Sequence, residues 1–230
     1  RELHNHNAAV FVGAGLSMSS GYVDWKGLLK EIISDLHLDP DKETDLVTIA
    51  QYHCNSAGTR GRLSQVIFDK FREVKRPTRN HEILARLPIQ TYWTTNYDRL
   101  LETALGDAKK VADVKYTQKQ LAVTRLDRDV YVYKMHGDIE HPTEAVLSRD
   151  DYESYSSKMA SFVSALRGDL IEKTFLFLGF SFTDPNIDYI LSRVRVEYGT
   201  DQRNHYCVQR RVTRNASESD IDFQHRQLKQ

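Results

Sequence analysis

Short runs of apolar residues alternate along the chain with longer stretches in which apolar residues recur at helical spacing. Residues 8–12 (Ala-Ala-Val-Phe-Val) and 175–178 (Phe-Leu-Phe-Leu) are continuous apolar runs, and a glycine follows each of them. Runs of this kind predict strands that are buried on both faces of a parallel sheet. Segments rich in β-branched and aromatic residues predict four more strands, at 90–95, 111–116, 130–135 and 205–208.

Helical spacing fills the segments between these strands, and residues 26–88 show helical spacing alone. Further helices are predicted at 98–105, 157–174 and 184–196. Strands that alternate with helices indicate an α/β fold. We therefore predict a Rossmann-like, mostly parallel sheet with helices on both faces and a helical insert after the first strand. Residues 1–230 form one domain in this interpretation, 26–88 are the insert or a small subdomain, and the polar stretch 213–222 is the single plausible linker.

A glycine-rich loop, Gly13-Ala14-Gly15-Leu16-Ser17, directly follows the first predicted strand. Doubly wound sheets bind nucleotide phosphates at this point, because glycines let the backbone approach the anion and a helix N-terminus follows. The usual dinucleotide fingerprint requires a third glycine where Met18 stands, and an acidic residue after a second strand about 20 residues on. An ordinary dehydrogenase fingerprint is therefore absent, and a purely structural glycine turn stays open as the alternative.

Polar side chains follow three other predicted strands. Asn96 and Asp98 follow the strand at 90–95, and His136 with Gly137 follows the strand at 130–135. Histidine is the side chain best suited to proton transfer near neutral pH. The run at 175–178 leads into a Gly-x-Ser-x-x-Asp-Pro segment that begins at Gly179. Asp98 and Asp184 are also well placed to cap the helices that follow them, which is the structural alternative for both.

Together these four elements resemble the sirtuin family. Residues 13–17 and 21–25 match its Gly-Ala-Gly-hydrophobic-Ser and Gly-x-x-Asp-aromatic segments, and the Asn-x-Asp and Met-His-Gly elements follow in the same order. The resemblance implies that Asn96 holds the nicotinamide ribose or positions a water, and that His136 is a general base toward a ribose hydroxyl. It also implies that Asp98 contacts the nicotinamide carboxamide. The cofactor-binding residues that it implies are Gly13, Ala14, Gly15, Ser17, Asp24, Trp25, Asp98, Gly179, Ser181 and Asp184.

The chain has two cysteines, Cys54 and Cys207, which cannot supply the four-thiolate zinc ribbon of sirtuin deacylases. We therefore expect no zinc and no other metal, and we expect peptide deacylation to be disfavoured. The sequence resembles the sirtuin-like domains of bacterial anti-phage systems, which implies hydrolysis of NAD to ADP-ribose and nicotinamide. A protein deacylase or ADP-ribosyltransferase, and a non-catalytic NAD or ADP-ribose sensor, remain as alternatives.

Composition narrows the set of partners. Because 32 basic residues balance 32 acidic ones, we expect no direct nucleic-acid binding. No apolar run approaches the roughly 18 residues of a membrane span, and no basic-then-apolar leader opens the chain, so we expect a cytoplasmic protein. The start at Arg1 suggests a piece of a longer protein. The resemblance implies a homo-oligomer whose activity is gated by assembly, with an ATPase or helicase, a nucleic-acid-guided protein or a phage-sensing component as candidate partners.

Overall fold

The computed structural model describes residues 2–209 and 219–228. Within these ranges, six strands form one parallel sheet in the order β3-β4-β2-β1-β5-β6. The strands are β1 (Ala8–Val12), β2 (Thr91–Thr94), β3 (Ala112–Lys115), β4 (Val130–Lys134), β5 (Thr174–Leu178) and β6 (Tyr206–Val208). The Rossmann-like α/β prediction is confirmed, and the sheet is entirely parallel rather than mostly so.

Helices occupy the connections between the strands. Between β1 and β2 lie α1 (Ala14–Met18), α2 (Trp25–Asp35), α3 (Leu46–Ala57), α4 (Gly61–Phe71) and α5 (Arg79–Arg86). Between β2 and β5 lie α6 (Leu100–Asp107), α7 (Gln118–Leu121), a 3₁₀ turn (Pro142–Glu144), α8 (Arg149–Lys158) and α9 (Ala160–Glu172). After β5 come α10 (Pro185–Tyr198), a 3₁₀ turn (Gly199–Asp201) and α11 (Asp220–Leu228).

The continuous apolar strands bury side chains on both faces of the sheet. In β1, Phe11 packs with the residues of α8, α9 and α10, whereas Val10 packs with those of α5 and α6. In β2, Trp93 packs on the same side as Phe11 and Tyr92 packs on the same side as Val10. Both faces are therefore covered by helices, which is why β1 is uniformly apolar rather than alternating.

Helices α2, α3 and α4 share a third apolar cluster, which includes Leu29, Ile32, Ile49 and Ile67. Tyr97, from the loop after β2, packs into this same cluster. The helical segment therefore rests on the carboxyl edge of the sheet, where the predicted site residues lie. The division into one domain with an insert at 26–88 stays a prediction.

The predicted helix at 157–174 is wrong in extent. The chain forms two helices there, α8 and α9, which are separated at Met159, whose φ of −121° and ψ of 30° are not helical. Helix α8 is polar except for its buried tyrosines, so its apolar pattern is weak. Of the proposed linker, residues 213–218 lie outside the described residues, and Asp220–Asp222 belong to α11.

In the described part of the chain, no helix has the length and apolar character to cross a membrane. Residues 2–209 and 219–228 likewise contain no group of three or more His, Cys, Asp or Glu side chains arranged to hold a metal ion.

Candidate active site

The loops that follow β1 and β5 meet at the point where the strand order reverses. β1 pairs with β2 on one side and with β5 on the other, and ligands of open parallel sheets bind outside the carboxyl ends at such a point. The amide of Gly13 donates to the carbonyl of Leu178 at 2.9 Å, and the amide of Gly15 donates to that of Gly179 at 2.9 Å. These two bonds lock the first glycine loop onto the second.

Glycine is required where these loops touch. A Cβ on Gly13 would lie 2.5 Å from the carbonyl oxygen of Gly179, and one on Gly179 would lie 2.3 Å from the amide nitrogen of Leu16. Gly179 also has a φ of +63°, a conformation that other residues rarely adopt. Loop packing therefore accounts for these glycines by itself, and their contact with a nucleotide stays a prediction.

Three polar side chains form a chain of hydrogen bonds between the first two strand ends. Asn96 Nδ2 donates to Ser17 Oγ at 2.9 Å, and Ser17 Oγ donates to Asp98 Oδ2 at 2.7 Å. All three residues are buried, with 9%, 2% and 6% exposure respectively. Asp98 Oδ1 also accepts from the amide of Leu100 at 3.0 Å, so the expected contact at the start of α6 is present as well. The amide oxygen of Asn96 and the Asp98 carboxylate are thus held in fixed positions.

This trio lies at a cavity between the sheet edge and the helical segment. The cavity encloses about 360 Å³, counting the part that opens to solvent. Its lining includes six of the predicted site residues: Ala14, Ser17, Asp24, Trp25, Asn96 and Asp98. Asp24 is also the N-cap of α2, since its side chain accepts from the amide of Gly27 at 2.8 Å.

His136 is enclosed at the end of β4, with 1% of its surface exposed. Its Nε2 atom lies 3.3 Å from Asp184 Oδ2 but lacks the geometry of a hydrogen bond. The rings of Tyr152 and Tyr155 stand edge-on to the imidazole, with centroids 5.5 Å and 6.1 Å away. Burial lowers the pKa of His136, and the carboxylates of Asp184 and Asp151 oppose that shift only in part. The imidazole is therefore neutral at pH 7, as a general base must be.

Asp184 connects this histidine to the start of α10. Its Oδ1 atom accepts from the amides of Asn186 and Ile187 at 3.1 Å, which is the capping role that the sequence left open. Its Oδ2 atom accepts from the Tyr152 hydroxyl at 3.0 Å and faces His136. Ser181 lies on the surface of the same loop, where its hydroxyl is 2.8 Å from that of Thr183.

A buried lysine links the loop that carries Asn96 to the loop that carries His136. Lys134 is fully buried, and its Nζ atom lies 2.6 Å from Asp138 Oδ2 and 3.0 Å from Glu102 Oε1. The same atom donates to the carbonyls of Tyr97 at 3.1 Å and Asp98 at 2.6 Å. Burial alone would lower the pKa of Lys134, but the two carboxylates outweigh it and raise that pKa, so the lysine stays charged.

Sequence reasoning missed Tyr152 and Lys134. Tyr152 bridges the two parts of the site, because its ring packs edge-on to Trp25 at 6.0 Å while its hydroxyl binds Asp184. The capping box formed by Ser148 and Asp151 is the sequence signal for α8, the helix that contains Tyr152. For Lys134, the signal is its position at the end of an otherwise apolar strand. A lysine there is expected to be buried, and a buried lysine almost always has charged partners.

The fold and the site together define an α/β protein of the doubly wound class, with a polar cleft at its topological switch point. A family model described as "SIR2-like domain" matches residues 90–229. The chain belongs to this SIR2-like family.

Similar proteins of known name are longer than this chain. "NAD(+) hydrolase ThsA" of Bacillus cereus (strain MSX-D12) is 60% identical over 231 residues, covering 100% of this chain and 48% of that protein. The protein of the same name from Acinetobacter baumannii (strain 532279) is 53% identical, with the same coverage. "Defense-associated sirtuin 2" of Bacillus subtilis is 30% identical over 83% of this chain and 19% of its own length. The chain thus spans about half the length of the two hydrolases, and less of the third protein.

Proposed function

We propose that this chain is the catalytic domain of an NAD hydrolase, which cleaves NAD to ADP-ribose and nicotinamide. The observation that carries the proposal is the pairing of a fixed amide, Asn96, with a buried neutral imidazole, His136, at neighbouring strand ends of a SIR2-like sheet. The names of the hydrolase relatives support it, since they match over the whole chain.

The reaction breaks the bond between C1′ of the ribose and the nicotinamide nitrogen. Nicotinamide leaves as a neutral molecule with the bonding electron pair, and C1′ develops oxocarbenium character. Water adds to C1′ and one proton is released, so the products are ADP-ribose, nicotinamide and H⁺.

In this proposal Asn96 holds the ribose or the attacking water, and His136 takes the proton. Asp98 accepts from the carboxamide of nicotinamide. Ser17 fixes the relative positions of Asn96 and Asp98, because its hydroxyl accepts a hydrogen bond from Asn96 and donates one to Asp98. Trp25 lines the cavity together with this polar trio, which suits a ligand that joins the aromatic nicotinamide ring to a ribose. The remaining predicted contacts, at the two glycine loops and Ser181, are part of the same proposal.

We also propose a role in bacterial anti-phage defence, in the cytoplasm, with activity gated by assembly into a homo-oligomer or with a partner component. The enclosure of His136 supports gating, because a ribose reaches this side chain only after the aromatic residues around it move. Unregulated hydrolysis of NAD would deplete the cell of a central cofactor. A fully active monomer, identified by mass measurement alongside turnover, would contradict gating.

The test is to incubate the purified protein with NAD and to quantify nicotinamide and ADP-ribose by chromatography. We expect the two products in equal amounts without any added peptide. Nicotinamide release that depends on an acylated peptide would contradict the proposal in favour of a deacylase. Tight NAD binding with no turnover in any assembled state would contradict it in favour of a sensor.

A further inference from the structure

His136 has two polar neighbours whose placement the proposed mechanism has not used. Asp184 presents Oδ2 to Nε2 of His136 at 3.3 Å, and the Tyr152 hydroxyl donates to that same oxygen at 3.0 Å. His136 Nε2 is buried and has no hydrogen-bond partner in the described structure. A buried imidazole nitrogen without a hydrogen-bond partner calls for an explanation, and Asp184 Oδ2, 3.3 Å away, offers one.

The carboxylate is held rigidly from the other side. Asp184 Oδ1 receives two backbone amides of the first turn of α10, both at 3.1 Å. The helix N-terminus also stabilises the negative charge. Burial and the neighbouring Asp184 raise the pKa of the Tyr152 hydroxyl well above its usual value, so the hydroxyl stays protonated and donates a hydrogen bond to Asp184. Each oxygen of Asp184 therefore has a defined task.

We infer that Asp184 is the positioning partner of His136, with Tyr152 as the residue that orients Asp184. This inference rests on the proposed function, because it assigns the proton acceptor of that reaction a charge partner. Once this contact closes into a hydrogen bond from Nε2–H to Asp184, the neutral imidazole keeps the lone pair of Nδ1 with which to accept a proton. When Nδ1 takes the proton of the ribose hydroxyl or water, the imidazolium charge is balanced by the carboxylate 3.3 Å away.

The groups around His136 make this assignment specific. Two carboxylates act on the imidazole, Asp184 from the start of α10 and Asp151 from α8. Asp151 is already committed, since it forms an ion pair with Arg60 and accepts from the Ser148 amide at 2.8 Å. The rings of Tyr152 and Tyr155 contribute packing and no charge at neutral pH. Asp184 is thus the carboxylate available to balance a protonated His136.

The variant D184N separates charge from structure. Asparagine is as good an N-cap as aspartate, so α10 keeps its start while the charge is lost. D188N is the matched control, because Asp188 is an exposed acidic residue in the first turn of the same helix. Y152F removes only the hydroxyl that donates to Asp184.

The first measurement is the titration of His136 by NMR, with its resonance assigned from the spectrum of H136Q. We expect D184N to move the His136 midpoint to lower pH, Y152F to move it less, and D188N to leave it in place. This readout needs no NAD turnover. An unchanged midpoint in D184N would overturn the inference, and a shift in a protein that never hydrolyses NAD would support the pairing while refuting the proposed function.

The second measurement is the pH profile of kcat/KM for NAD. Because the base works when neutral, activity falls as pH drops through its pKa, and loss of the carboxylate lowers that pKa. We expect the acidic limb of D184N to move to lower pH, with kcat reduced on the order of 100-fold near neutrality. A capping role alone would lower stability and leave the limb where it is, so an unmoved limb with reduced stability contradicts the inference.

Discussion

The buried Lys134 offers the most direct test of how the two loops of the site are held together. The substitution K134M keeps the length and the apolar stem of the side chain and removes its charge. It leaves Glu102 without its cation and Asp138 with only Arg99, whose Nε atom lies 3.5 Å from Asp138 Oδ1. The carbonyls of Tyr97 and Asp98 also lose their donor. We expect the variant to fold with markedly lower stability and to lose activity.

The expected magnitude follows from these contacts. Removing one partner of a buried ion pair costs about 3–5 kcal/mol, because the remaining charge is buried without compensation. All of the Lys134 side chain and all of the Asp138 side chain are shielded from solvent, so no water replaces the lost contacts. A protein of this size loses about 2–4 °C in Tm per kcal/mol, so the expected drop is roughly 6–20 °C.

The assay is urea unfolding followed by circular dichroism, together with thermal scans. K26M is the matched control, because the pair between Lys26 and Asp41 lies on the surface, with side-chain exposures of 46% and 93%. An exposed pair of this kind contributes about 0–1 kcal/mol. The triple variant K134M/D138N/E102Q removes the two carboxylate charges that face Lys134, and we expect it to regain much of the lost stability. A K134M protein within about 1 kcal/mol of wild type would refute this reasoning.

Three further predictions concern the glycine loops, the polar trio and the response to pH. G179A forces a Cβ to within 2.3 Å of the Leu16 amide nitrogen at a φ of +63°, so we expect the free energy of unfolding in urea to fall by about 2–4 kcal/mol. G106A places its Cβ in open space on α6, so we expect a neutral or slightly stabilising effect, and equal stabilities of the two variants would contradict this prediction. S17A removes the hydroxyl that binds both Asn96 and Asp98, so we expect kcat for NAD to fall at least about 10-fold, whereas S19A keeps the wild-type kcat. Equal kcat values for the two variants would contradict the proposed role of this hydrogen-bond chain. Burial lowers the pKa of His81, His136 and His205. As pH falls from 7 to 5, the unfolded chain takes up protons at these residues that the folded chain does not, so the free energy of unfolding declines by up to about 1.4 kcal/mol per pH unit for each of them. A urea midpoint that stays constant over this range would contradict the prediction.

The fold was predictable where the information is local. The runs at 8–12 and 175–178 are apolar at every position because helices cover both faces of the sheet, and that feature is visible in the sequence. Helix α8 was missed because its buried residues, Tyr152 and Tyr155, are embedded in charged and small polar residues. Its capping box was the better guide than its periodicity.

The site was predictable as a set of strand ends and not as a set of contacts. Asn96, Ser17 and Asp98 were each suggested by a motif, but their hydrogen-bond chain joins residues about 80 positions apart. The partners of Lys134 come from the β2 loop, α6 and the β4 loop, so no local pattern marks them. For Gly13 and Gly179 the motif was visible but its cause was not. Glycines at these positions are typical of phosphate binding, and the close packing of the two loops requires them as well.

Nicotinamide release from NAD by wild-type protein and by N96A and H136A tests the central claim most directly. N55A and H141A are matched controls, because both residues are exposed and lie on α3 and on the loop after β4. The proposed function predicts release by the wild type and both controls, and a loss of roughly 100-fold or more in N96A and in H136A while both remain folded. Full release by N96A and by H136A would contradict it.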